Sequence, residues 1–124
     1  AMGVRFLKIA VVYLMLGTLL GLYMGGTEKF VLAPVHAHLL LLGWASLALA
    51  GLIYHLHPAA GETRLARIHF WLHNIALPVS MAALALLLSG TVAAGPFVGI
   101  GSTAMFAGLV LFGVNVLVNV RAPA

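Results

Sequence analysis

The chain has no cysteine and very little charge. Without cysteine there can be no disulfide, no iron–sulfur cluster, no thiolate-ligated heme and no covalent heme attachment through Cys-x-x-Cys-His. Acids are scarcest of all: Glu28 and Glu62 are the only two in 124 residues. Acid–base catalysis by paired carboxylates has no material here, and neither has proton pumping through intramembrane Asp or Glu. Charged residues make up 6% of the chain, against about a quarter in an ordinary soluble domain. The net charge is +4, but it rests on only six Lys and Arg. That is too few for the basic face of a nucleic-acid binder, so these residues read as topology signals instead.

What fills the space is apolar. Hydrophobic residues make up 64% of the chain, and the mean hydropathy is +1.18. A run of about 20 apolar residues crosses a bilayer, and the sequence predicts four such runs, at about 6–24, 35–56, 68–89 and 97–120. The expected fold is all-α: an integral membrane four-helix bundle forming one domain over residues 1–124. Gly25-Gly26-Thr27-Glu28-Lys29 is expected to end the first span. Pro34 and Pro58 punctuate the second, one just inside its start and one just past its end. Ala1 ahead of Met2-Gly3 reads as an addition before the natural start. The first span is too long for a signal-peptide core and has no Ala-x-Ala site after it, so it reads as retained.

Arg5, Lys8, Arg64, Arg67 and Arg121 fall on one side of these spans, and only Lys29 falls on the other. By the positive-inside rule both termini are expected on the cytoplasmic side of a bacterial-type inner membrane. Gly17, Gly21 and Gly25 form a double Gly-xxx-Gly stripe, and Ala104 with Gly108 a small-xxx-small pair. Such spacing lets helices approach closely in lipid.

His36 and His38 open the second span in Val35-His36-Ala37-His38-Leu39-Leu40-Leu41-Leu42. Imidazole is expensive to place in hydrocarbon without a partner, and a metal or heme iron suits its nitrogen. On a helix, residues two apart point about 200° away from each other. The pair therefore cannot chelate one iron from one face. Either the two serve different sites, or at least one is a wetted or capping residue at the helix end. Of the remaining histidines, His69 and His73 share a helix face four residues apart, a spacing that can chelate zinc or copper. His55 and His57 end the preceding span and are placed to approach them. The competing reading makes all four ordinary membrane-edge residues.

From His36 to about Pro78 the chain resembles subunit I of the heme-copper oxidase superfamily, including the nitric oxide reductase large subunit. The resemblance rests on His36-Ala37-His38, on Gly51-Leu52-Ile53-Tyr54-His55-Leu56-His57-Pro58 and on Ala66-Arg67-Ile68-His69-Phe70-Trp71-Leu72. These segments are similar to the tenth and eleventh helices of the twelve-helix subunit. The resemblance implies that His36 and His38 ligate two different b-type hemes and that His69 is not an iron ligand. It also implies a fold like one of the three four-helix arcs around the subunit's pseudo-threefold axis. A homotrimer of this chain would then mimic the full subunit, with each heme held between protomers by His36 of one and His38 of its neighbour.

The departures from the family pattern limit the chemistry. There is no His-His dipeptide for copper, no copper-linked tyrosine motif, and no Arg-Arg pair between Gly90 and Pro96 for heme propionates. Lys29 is the only basic candidate on that side. Oxygen reduction is thus not expected. The expected function is heme b binding for electron transfer from quinol or a redox protein, or for gas sensing. Two alternatives stand beside it: a cofactor-free structural subunit, and a copper or zinc protein using His55, His57, His69 and His73.

Overall fold

A computed structural model describes residues 1–123, and among them the chain is helical with no strand. Four helices are long and apolar enough to cross a membrane: α1 (Met2–Thr27), α2 (Ala33–Leu56), α3 (Arg64–Leu88) and α4 (Gly95–Asn119). All four coincide with the predicted spans, and each is longer than its predicted run at one end or both. The first break falls later than expected. α1 runs through Gly25 and Gly26 and stops at Glu28, which takes a left-handed conformation (φ 56°). Two consecutive glycines weaken a helix, but α1 has twenty good residues behind it to propagate from.

Each helix buries one narrow stripe and leaves the rest of its surface apolar and open. On α1 the buried residues are Gly3, Phe6, Ala10, Gly17 and Met24. On α3 they run Ala66, His69, Phe70, His73, Ala76, Leu77, Ser80, Met81 and Ala83. These are the three- and four-residue steps of a single helix face. Leu19, Leu22, Leu56, Ile100, Phe106 and Leu117 are among the large side chains left exposed. Such an exterior is stable against lipid and not against water.

The buried stripes meet in two clusters. Near the end that holds both termini, Phe6 and Ala10 meet Leu47, Ala50 and Tyr54 of α2 and Ala66 and Phe70 of α3. Phe6 sets its ring edge-to-face with Tyr54 at 5.2 Å and with Phe70 at 5.3 Å, a favourable arrangement for aromatic pairs. Towards the opposite end, Val35, Ala76, Leu77, Met81 and Met105 form the second cluster. The glycine stripe of α1 does pack against a neighbour: a side chain at Gly17 would strike Leu40 of α2, and one at Gly21 would strike His36. Gly25 faces open space, so only part of that stripe makes a helix contact.

α2 holds one feature absent from the sequence reading. Over Leu39–Ala45 its backbone bonding lengthens to five residues, a π-helical turn, and the Ser46 N–H reaches Leu41 O. The wider turn brings Gly43 so close to α1 that a Cβ there would lie 2.5 Å from the Tyr13 ring.

A one-turn helix, Pro58–Gly61, links α2 to α3. Thr63 caps α3, its hydroxyl oxygen accepting from Ala66 N–H at 3.1 Å. Asn115 of α4 is fully buried. Its amide donates to Ala60 O at 3.0 Å and to Thr63 Oγ1 at 3.1 Å, tying the far end of the chain to this turn.

Candidate functional site

His36 and His38 lie in the first turns of α2, which Pro34 opens. Their side chains diverge, as the 200° rotation requires. His36 turns towards α1, and its Nδ1 lies 2.8 Å from Gly17 O. His38 is exposed, and its Nδ1 lies 2.6 Å from Pro34 O. A carbonyl oxygen only accepts, so in both rings Nδ1 carries the hydrogen and donates it. In a neutral imidazole Nε2 then keeps its lone pair. Neither Nε2 has a hydrogen-bond partner among the described residues, and the half-buried His36 Nε2 is not sealed in the interior. Gly21 makes room for the His36 ring, because a Cβ there would lie 2.8 Å from its Cε1.

His38 borders a cavity of about 400 Å³ between α2, α3 and α4. Leu42, Leu77 and Met105 give it apolar walls, and Ser80 is its buried polar group. The Ser80 hydroxyl has no hydrogen-bond partner.

The second histidine group differs from the sequence expectation. His69 and His73 are not membrane-edge residues. Both are fully buried, because they fall on the same stripe of α3 as Ala66, Phe70 and Leu77. They form a chain with Tyr54 and the α2 backbone. Tyr54 OH lies 2.8 Å from His69 Nδ1, His69 Nε2 lies 3.1 Å from His73 Nδ1, and His73 Nε2 lies 2.8 Å from Leu42 O. The terminal carbonyl sets the direction of every bond. His73 Nε2–H donates to Leu42 O, so His73 Nδ1 accepts from His69 Nε2–H, and His69 Nδ1 accepts from the Tyr54 hydroxyl. Phe6 and Phe112 flank the His69 ring, at 5.0 and 5.1 Å.

The π-helical turn explains why the chain ends at Leu42. Where bonding returns from five-residue to four-residue spacing, one carbonyl drops out of the helix ladder. Leu42 O lies at that return, directly after the Ser46 N–H to Leu41 O bond. In a membrane core an unpaired carbonyl is costly, and His73 supplies the missing donor. Both ring nitrogens of His69 are thus committed, one to Tyr54 and one to His73.

His55 and His57 do not join this group. His55 is exposed at the end of α2, and His57 borders a separate surface hollow with Asn119 and Arg121. Among the described residues, no three of His, Cys, Asp and Glu come together as a metal-binding set.

No protein-family model, curated protein or solved structure matches this chain.

Proposed function

We propose that this chain is a membrane-embedded b-type heme protein, in which His36 and His38 supply Nε2 to iron in two different hemes, for electron transfer. One observation carries the reading: both rings give Nδ1–H to a backbone carbonyl and keep Nε2 free, on opposite sides of α2. Histidines that ligate metals are oriented in this way, and the bond at Nδ1 fixes the tautomer and raises the basicity of Nε2. A heme bound there would supply a one-electron iron couple.

The chain's own residues do the positioning. Gly17 O holds the His36 ring, and Gly21 leaves space beside it. Pro34 O holds His38. The cavity beside His38 has largely apolar walls, which would suit the porphyrin of a bound heme. Because the two Nε2 atoms diverge within one chain, a bis-histidine heme needs its second ligand from another copy. The resemblance to the oxidase arcs favours a homotrimer with up to three hemes, in which His36 of one protomer would face His38 of the next. Quinol or a redox protein is the proposed donor. If only one of the two histidines held a given heme, the same site would serve gas sensing instead. The bias of Arg and Lys favours cytoplasmic termini, which would put His36 and His38 near the outer face of an inner membrane.

Heme content per chain, measured by pyridine hemochrome together with native mass, tests the proposal. The expected result is a heme-loaded trimer, with heme lost in His36→Ala and in His38→Ala. A heme-free monomer after expression with ample heme would overturn it.

A further inference from the structure

A groove of about 710 Å³ runs between α3 and α4, and neither His36 nor His38 lines it. Arg64 and Arg67 stand at its mouth, at the end that holds both termini, and Trp71, Ile75, Val79 and Ile100 line its length. Its floor is made of small residues: Ala76 on α3, with Gly101 and Ala104 on α4. The groove thus has two guanidinium groups at one end and a smooth apolar trough below them.

No ion pair engages Arg64 or Arg67 among the described residues. Among the described residues the only acidic side chain at that end is Glu62, itself exposed. Two cations side by side with no intramolecular acid partner call for an anion from outside. The trough adds that the anion has a hydrocarbon tail.

From Arg64 to Val79 is 15 residues, about 22 Å along the axis, which is room for a headgroup at the mouth and an acyl chain through one leaflet of a hydrocarbon core about 30 Å thick. A second apolar hollow, lined by Val79, Leu86, Thr91 and Phe97, continues the α3–α4 face beyond it, so it is the arginine pair at the mouth that favours a lipid over a partner helix. Trp71 is 58% exposed and sits about two turns inside the mouth, near the depth at which membrane proteins concentrate aromatic residues.

We infer that this groove binds one acidic phospholipid per chain, its phosphate held by Arg64 and Arg67 and an acyl chain laid along Trp71, Ile75 and Val79. Basic pockets between membrane helices recognise anionic headgroups in this manner. The site is independent of the heme proposal, because it shares no lining residue with the cavity beside His38 and includes neither His36 nor His38.

The full chain, exchanged into equal amounts of phosphatidylglycerol and phosphatidylcholine and released from detergent for native mass measurement, gives the test. The expected result is one retained phosphatidylglycerol per chain, preferred about tenfold over phosphatidylcholine. The double variant Arg64→Gln/Arg67→Gln should lower that preference to near parity. Lys8→Gln, which removes a cation from α1 at the same end, should leave it intact. Equal retention of the two lipids by the unsubstituted chain would overturn the inference. So would an undiminished preference in the double variant, or an equal fall in Lys8→Gln, which would show bulk charge rather than a site. Retention of neither lipid in a stable oligomer would assign the groove to a second copy instead.

Discussion

Replacing His73 tests whether the buried polar chain holds α2 in its π-helical form. His73→Leu keeps the side-chain bulk similar but removes both hydrogen-bonding nitrogens. Two groups then lose partners: Leu42 O, at 2.8 Å from His73 Nε2, and His69 Nε2–H, at 3.1 Å from His73 Nδ1. Leaving a buried polar group unpaired costs about 1–3 kcal/mol, while interhelical hydrogen bonds in membrane proteins average about 0.6 kcal/mol and reach about 1.7 kcal/mol. His69 and His73 have no exposure, so His69 Nε2–H lies in the interior, and Leu42 O is half-buried beside it. The expected loss is about 2–4 kcal/mol in all. His73→Gln gives the control, since its amide can donate to Leu42 O while its carbonyl accepts from His69. That variant should lose less than about 1 kcal/mol. Reversible unfolding in bicelles or by a steric trap reads both values. Equal stability of His73→Leu and the parent chain, or equal loss in the Leu and Gln variants, would refute the role given to the chain.

Other substitutions follow from the same geometry. Tyr54→Phe leaves His69 Nδ1 without its donor and should cost about 1 kcal/mol in the same unfolding assay. Gly43→Ala places a methyl 2.5 Å from the Tyr13 ring and should cost about 1–3 kcal/mol; adding Tyr13→Ala should return part of that loss, and strict additivity would contradict the contact. Asn115→Leu removes the donor shared by Ala60 O and the Thr63 hydroxyl, which still bond each other; a loss of about 1 kcal/mol is expected, with faster proteolysis at the α2–α3 turn. Gly21→Ala puts a methyl 2.8 Å from His36 Cε1. It should lower heme content per chain several-fold while changing helicity by circular dichroism very little.

The four spans were legible because hydrophobic length alone identifies them, and the divergence of His36 and His38 because it follows from the helical rotation of two residues. Burial of His69 and His73 was legible in principle. Ala66, Phe70, Ala76 and Leu77 mark the inward face of α3, and both histidines fall on it. Their nearness to Arg67 and Trp71 suggested an interface instead, but Arg67 and Trp71 sit on the other side of the same helix. The π-helical turn could not be read from Leu39–Ala45, whose residues are almost uniformly apolar and carry no periodic mark. It depends on two tertiary partners: Gly43, which admits Tyr13, and His73, which meets the carbonyl left out of the ladder. The separation of His55 and His57 from the buried pair was equally hidden, since Pro58–Gly61 turns the chain away before α3 begins.

The visible spectrum of the detergent-purified protein, oxidised and then reduced with dithionite, tests the heme proposal most directly. The account predicts a Soret band with sharp α and β bands on reduction, as low-spin bis-histidine iron gives, lost in both His36→Ala and His38→Ala and kept in His73→Gln. No Soret band after expression with ample heme, or an unchanged spectrum in either His36→Ala or His38→Ala, would contradict it.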